Sequence, residues 1–362
     1  MVTPVTVDGE SVMTEQSLHR RRFLLGGAAV GAGALLTACT SNEAPAQDNA
    51  ANVANAGANS QPGTPVTIGF SAPAADHGWM AAITKNARAQ AQKFSEVTLN
   101  ATEGTNDVNQ QISQVETLIN AKVNVLVILP FDGKALTAVG QQAMDAGIQV
   151  INLDRVFDTP LAYRTWIGGD NYRMGVNAGN YIAQQMKAKN VASPVIGEVA
   201  GIDSLPLTQE RSKGFKDALA RQGFQVGPRV SAEFTPESGE KQTSNLLQSA
   251  AKLDALWNHD DDQGVGVIAA INNANRKNFL MVGGAGSKNA MNLIKSDAEP
   301  LKATVLYSPS MASSAISLAR LLGQGKGAGD FAEHEIPAEI TTYSAVVTKE
   351  NVDKYMDVGF DS

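Results

Sequence analysis

The chain has 362 residues, of which 43% are hydrophobic and 18% charged, the balance of a packed protein of about two domains and not of a disordered one. A formal charge of -7, from 36 acidic and 29 basic side chains, gives no attraction for phosphate backbones, so nucleic acid is not an expected partner. One cysteine in the whole chain excludes a disulfide framework and any multi-thiolate metal site.

Positions 19 to 25 read His-Arg-Arg-Arg-Phe-Leu-Leu, and Leu24 to Ala38 is an apolar run with one Thr. A basic start followed by about 15 apolar residues fits a signal peptide, since a membrane-spanning helix needs roughly 20. Arg20-Arg21-Arg22-Phe23-Leu24 resembles a twin-arginine export signal. Leu36-Thr37-Ala38-Cys39 resembles a bacterial lipobox, which implies that Cys39 is lipidated and holds the chain to the outer face of the cytoplasmic membrane. From Thr40 to Pro65 the residues are mostly Ala, Asn, Ser, Gln, Gly and Pro, the composition of a flexible tether. The expected organisation is therefore a signal peptide over 1–38 and a tether over 39–65. Losing 1–38 removes three acids and three arginines, so the exported body stays acidic.

From Val66 onward short β-branched runs alternate with longer helical patterns. Strands are expected at Val66 to Phe70, Val97 to Ala101, Val123 to Leu129, Val150 to Leu153 and Trp166 to Gly169. Between the second and third, Val108, Ile112, Val115, Leu118 and Ile119 recur at helical spacing. A second series follows at Val195 to Val199, Val230 to Phe234, Ala255 to Trp257, Phe279 to Val282 and Ala303 to Leu306, with helical patterns such as Gly214 to Arg221 and Leu246 to Lys252 between them. Continuous apolar strands separated by helices predict parallel sheets covered on both faces. The fold class is thus α/β, with two doubly wound lobes. Ser313 to Leu322 reads as a helix, Ile336 to Val347 as an extended segment and Asn351 to Met356 as a last helical turn. The expected lobes are 66–169 plus 308–338 and 170–307 plus 339–362, joined by three linkers that form a hinge.

Four features in order carry a resemblance: Ser71 and His77-Gly78-Trp79 after the first strand, Leu153-Asp154-Arg155 ending the fourth, Glu210-Arg211-Ser212-Lys213-Gly214-Phe215 opening a helix, and Asn258-His259-Asp260-Asp261 after a later strand. Over about 300 residues the chain resembles the ribose-binding type of periplasmic binding protein, the type I sugar-capturing subunit of an ABC importer. That resemblance implies two α/β lobes, one sugar or sugar alcohol in the cleft, ABC permease and ATPase partners, a monomer, no cofactor and no chemistry on the ligand.

A sugar presents hydroxyls and an apolar face, so its pocket needs acceptors, forked donors and flat rings together. Asp154 is expected to accept from hydroxyls while Arg155 donates parallel bonds, and the resemblance implies that Arg211 reaches the cleft from the start of the second lobe's helix. Trp79 is the expected stacking ring, with Phe234 as a second plate in the other lobe. Ser71, Asp76, His77, His259 and Asp260 are expected polar contacts, with Asp261 or Asp262 capping a helix that begins near Gly264. The family commonly has aspartate, asparagine and glutamine where Ala285, His259 and Tyr307 stand, so Tyr307 also belongs to the expected site and ribose itself is in doubt.

Rival readings find less support. His259 to Asp262 are adjacent on one loop and do not converge on a metal ion. Gly283 to Lys288 lacks the order of a phosphate loop, and its glycines are expected to let the backbone approach a ligand. Asp154 with Asp260 as a glycosidase pair lacks an environment that raises a pKa, and Arg155 acts the wrong way for a general acid. Related repressors need a DNA-reading motif where this chain has an export signal. A sensory role is as compatible with the sequence as transport.

Overall fold

The computed structural model describes residues 59–328 and 335–362. The export signal, the lipobox at Cys39 and most of the expected tether lie outside the described residues. Strands and helices alternate through the body: β1 (Val66–Ser71), α1 (Gly78–Ala91), β2 (Val97–Ala101), α2 (Val108–Asn120), β3 (Val125–Ile128), α3 (Gly133–Asp145), β4 (Gln149–Leu153), β5 (Thr165–Gly169), α4 (Asn171–Ala188), β6 (Ile196–Ala200), α5 (Pro206–Arg221), β7 (Val226–Ser231), α6 (Pro236–Ser249), β8 (Ala255–Asn258), α7 (Asp261–Asn273), β9 (Leu280–Ala285), α8 (Lys288–Lys295), β10 (Leu301–Leu306), α9 (Met311–Gly323), β11 (Glu339–Thr342), β12 (Val346–Thr348) and α10 (Val352–Tyr355). Among the described residues no helix is long and apolar enough to cross a membrane.

The strands sort into two sheets of six, ordered β11-β5-β4-β3-β1-β2 and β12-β10-β9-β8-β6-β7. The first is parallel throughout, and the second has one antiparallel edge strand, β12. Strands β3, β4, β5 and β8 are buried on both faces or nearly so, as their unbroken apolar runs require, whereas edge strand β2 is only half-buried. In the first lobe α1 and α9 pack on one face, and α2 and α3 on the other. In the second, α4 and α5 cover one face, and α6, α7 and α8 the other. One apolar cluster runs from Ile68 and Phe70 of the first lobe through Met174 and Ile182 to Phe215 and Trp257 of the second. Replacing a ring as buried as Trp257 by alanine costs about 3–5 kcal/mol.

Most helix starts are specified locally. Asp107, Asp132, Asp170, Asp260 and Ser287 each accept a bond from a backbone N–H of the first turn they precede. The loops after strands thereby turn into helices at fixed points. The chain passes between the lobes at Gly169–Asn171, Leu306–Met311 and Thr342–Val346.

Four boundaries differ from expectation. Glu339 to Thr342 pairs with Trp166 to Gly169 in the first sheet, so the last crossing falls after Thr342 and not after residue 338. A run of Ile, Thr and Val reads as one extended segment and does not announce that it changes sheets partway. The tether also ends early: the buried Arg320 donates to Asn59 O at 2.6 Å and Gln61 O at 2.7 Å while pairing with Glu96 at 2.5 Å. Residues 59–64 are thus pinned to the first lobe by a side chain some 260 positions away. Helix α6 ends at Ser249, three residues before the expected Lys252, and β7 ends at Ser231, which leaves Phe234 in a loop.

Candidate functional site

Where the two lobes meet, the loops after β1, β4, β7, β8 and β10 and the end of β9 come together with the starts of α1 and α5. They enclose a cavity of about 30 Å³ lined by His77, Trp79, Met80, Asp154 and Arg155 of the first lobe and by Leu207, Arg211, Phe234, Asp260, Ala285 and Tyr307 of the second and its hinge segment. Asp154 and Arg155 also line a wider groove of about 740 Å³ between the lobes, which continues past Asp170, Leu205 and Glu339. The small cavity carries the denser chemistry, with acceptors, guanidinium groups and rings all within it.

Asp154 ends β4 with its backbone turned left-handed, φ 62°. Its N–H donates to Ile167 O at 2.8 Å, and its carbonyl accepts from the Trp166 indole at 2.9 Å. Neighbouring Asn152 holds the rest of the turn, donating to Arg155 O at 2.8 Å and accepting from Phe157 N at 2.9 Å. The Asp154 carboxylate accepts from the Tyr307 hydroxyl across the cleft. Arg155 donates to Phe131 O at 2.5 Å and lies 5.6 Å from the Phe131 ring, while its buried Nε has no protein partner. Burial pulls the Arg155 guanidinium below its ordinary value, against the charges of Asp154 and Asp76.

On the second lobe Arg211 rises from α5, donating to Asn171 Oδ1 at 2.9 Å and His259 O at 3.3 Å. Its guanidinium stands 4.6 Å from the Tyr307 ring and 6.0 Å from the Phe234 ring. Asp260 caps α7 through Oδ1, accepting from Asp262 N at 2.8 Å and Gln263 N at 3.3 Å. Burial raises the Asp260 carboxyl, and the charges of His77 and Arg211 oppose that rise. Burial and then the Asp154 charge push the Tyr307 phenol well above its ordinary value, so it remains a donor. Trp79 lies 5.8 Å from Tyr307, and its indole N–H donates to Tyr307 O at 2.9 Å.

Backbone geometry marks the same place. Seven described non-glycine residues have positive φ; Lys122, Asn190, Asn275 and Asp297 end helices, where such a turn is ordinary. The other three, Asp154, Phe234 and Ala285, follow or end strands and all line the cavity. Left-handed backbone at Phe and Ala costs of order 1–3 kcal/mol, a strain that concentrates at functional sites.

Of the eleven side chains expected at the site, the structure brings eight to the cavity: His77, Trp79, Asp154, Arg155, Arg211, Phe234, Asp260 and Tyr307. Three are elsewhere. Ser71 is fully buried and accepts from Gln111 Nε2 at 3.2 Å. Asp76 stands at the rim, accepting from His77 Nδ1 at 2.5 Å and Asn106 Nδ2 at 2.8 Å. His77, Asn106 and Asp76's own backbone hold that carboxyl below its ordinary value. His259 lies behind the cavity wall, with its ring 4.1 Å from that of Trp257 and Nε2 2.8 Å from Glu198 Oε1. The reason is register: β8 runs through Asn258, so the next side chain points into the lobe and the cleft-facing position falls on Asp260.

The acids beyond it also change roles. Asp260, not Asp261 or Asp262, caps α7, which begins at Asp261 and not near Gly264. Asp261 accepts from Gly284 N, Gly286 N, Ser287 N and Thr304 Oγ1 at 2.8–2.9 Å. Burial raises this carboxyl to about 8 against the pull of those donors. The glycines of this loop close on Asp261, since a Cβ at Gly283 would stand 2.2 Å from Asp261 Oδ1, and Ala285 is the loop residue that lines the cavity. Gln263 escaped notice in the sequence, yet it bridges Val199 O, Asn258 Oδ1 and Phe234 N and so positions the Phe234 loop.

Residues 68–327 match the family model described as a periplasmic binding protein domain. The ribose import binding protein of Bacillus subtilis is 31% identical over 246 residues, 68% of this chain and 77% of that one. The D-ribose/D-allose-binding protein of Pseudomonas aeruginosa is 29% identical over 259 residues, 70% and 78% of the two chains. Among solved structures, an ABC transporter solute binding protein from Mycobacterium smegmatis with bound glycerol superposes with a TM-score of 0.72 at 25% identity, over 82% of this chain and 99% of that one. Two parallel-dominated lobes, a cavity between them and these likenesses in sequence and structure agree: the chain belongs to the periplasmic binding protein family.

Proposed function

We propose that this protein is the substrate-binding lipoprotein of an ABC importer, capturing a monosaccharide or sugar alcohol by closing its lobes and delivering it unaltered to permease and ATPase subunits. The observation that carries this reading is the make-up of the cavity. Each lobe contributes a carboxylate and a guanidinium, Asp154 with Arg155 and Asp260 with Arg211, and the rings of Trp79, Phe234 and Tyr307 stand among them. A polyhydroxylated ligand meets acceptors, forked donors and flat apolar faces at once. A ligand touching both lobes stabilises the closed state by its differential contacts, and no bond need be made or broken.

Lipidation at Cys39 fits an address read by a membrane-bound permease, and a monomer suffices because both walls of the cavity come from one chain. Relatives that bind ribose, and ribose or allose, support the ligand class. Tyr307 and Ala285 change the second lobe's side of the pocket and so set which member of the class is held. Calorimetric titration with a panel of pentoses, hexoses and polyols tests the reading: heat from at least one, with the sugar recovered intact, is expected. No binding across the panel, or conversion of the bound sugar, overturns it.

A further inference from the structure

Helix α1 is left without a cap by its own sequence. His77 precedes it but makes no side-chain hydrogen bond to the first turn, which also contains no acid. A helix start presents unpaired N–H groups and partial positive charge. Here the missing acceptor comes from the other lobe: Trp79 N donates to Asp262 Oδ2 at 2.8 Å. Gly78 permits the approach, because a Cβ there would stand 2.7 Å from Asp262 Oδ1 and 2.5 Å from Asp361 O. Asp262 is buried, yet it is not among the side chains that line the small cavity. It sits in the first turn of α7, so its carboxylate stands between two helix starts, one from each lobe. Trp79 is thereby tied to the second lobe twice, through its backbone N–H here and through its indole N–H at Tyr307 O.

We propose that Asp262 is a positioning residue for ligand capture: its side chain caps α1 across the cleft when the lobes close, stabilising the closed state and fixing Trp79 beside the pocket without touching the ligand. The proposal rests on the binding-protein reading, in which capture is closure. Opening the lobes breaks the bond, and His77, the residue that precedes α1, makes no side-chain cap of its own.

The charges around Asp262 give the device a pH dependence. His77 faces it from the start of α1, Asp260 from its own loop, and Asp361 lies over Gly78 with its carboxylate 3.2 Å from Lys288 and 3.7 Å from Lys85. Asp261 is turned away onto the Gly284 to Ser287 backbone. Burial first, and the charge of Asp260 second, push the Asp262 carboxyl from 3.8 up to about 7. Packing the start of α1 over this carboxyl adds to its burial, so closure is expected to take up protons there and to be more favoured in acid than in alkali. The neutral acid still accepts through its carbonyl oxygen, so the cap persists while the charge penalty disappears.

The test uses the full chain, Asp262→Ala and Asp262→Asn. D-ribose and D-allose are titrated by calorimetry at mildly acidic and mildly alkaline pH, and small-angle scattering gives the radius of gyration with and without sugar. Wild-type affinity is expected to fall about ten-fold from the acidic to the alkaline buffer. Asp262→Ala is expected to bind about ten-fold more weakly than wild type in the acidic buffer. Asp262→Asn, which keeps an acceptor and cannot ionise, is expected to match wild type in acid and to lose most of the pH slope. Wild-type affinity in Asp262→Ala, or a full wild-type slope in Asp262→Asn, overturns the assignment. If neither sugar binds wild type, the binding-protein reading fails for those two ligands, and scattering decides the proposal separately. Compaction of wild type in acid that Asp262→Ala lacks supports it; equal radii overturn it. Should Asp262→Ala fold poorly, the slope of Asp262→Asn decides.

Discussion

His77 in the first lobe and His259 in the second both meet a carboxylate within hydrogen-bond distance, and their surroundings move their pKa values in opposite directions. His77 stands at the cleft rim, where burial works to lower its pKa but Asp76, Asp260 and Asp262 together raise it. His259 is fully buried, and burial outweighs Glu198, so it is held below 6.5 and stays neutral. Burial also works to raise Glu198, yet His259, Ser212 and Arg229 keep it below its ordinary value and ionised. A partner at 2.8 Å does not decide protonation; the number of charges facing the pair and the water around it do. The rim pair is partly open to solvent, whereas the pair behind the wall is fully enclosed.

That contrast predicts separable losses. The largest is in binding: Arg211→Lys keeps the charge but loses the planar fork, and affinity for whichever sugar of the panel binds is expected to fall about 100-fold by calorimetry. Next comes stability: Glu198→Gln removes the acceptor of charge-assisted bonds from His259, Ser212 and Arg229. It is expected to lower unfolding free energy by about 2 kcal/mol in a urea titration, with sugar affinity little changed. A Glu198→Gln protein that keeps its stability and loses binding would erase the distinction between wall and support. The smallest is at the rim: Asp76→Asn is expected to cost less than about 1 kcal/mol, while lowering the His77 pKa followed by NMR.

The pH dependences of the two pairs also have opposite signs. His259 has a depressed pKa, so its contribution to stability is present above its ordinary value of 6.5 and is lost as pH falls below it. His77 has a raised pKa, so its contribution is full below 6.5 and disappears as pH rises through its elevated value.

The two lobes were legible because their strands are continuous apolar runs, which periodicity finds without any tertiary knowledge. Asp154 and Arg155 were legible for a similar reason: both follow an apolar strand end, where open α/β sheets place ligand groups. Arg211 and Asp260, 49 positions apart, needed the family resemblance, since no local pattern says that α5 and the β8 loop share a wall. His259 was misplaced by one position because the sequence does not fix where β8 releases the chain. The bond from Asp262 to Trp79 spans 183 positions, and its only local trace is negative, a helix start without a capping side chain.

The three crossings lie side by side. Strand β11 pairs with β5 in one lobe while β12 pairs with β10 in the other. Leu306 N donates to Ala345 O at 2.8 Å, and Ser344 Oγ donates to Leu306 O at 2.9 Å. Three parallel strips of backbone, laced together in this way, resist torsion and sliding far more than they resist folding along their common line. The halves are thereby left with essentially a single axis of swing, and a grip gained at one corner of the mouth is felt along its whole length.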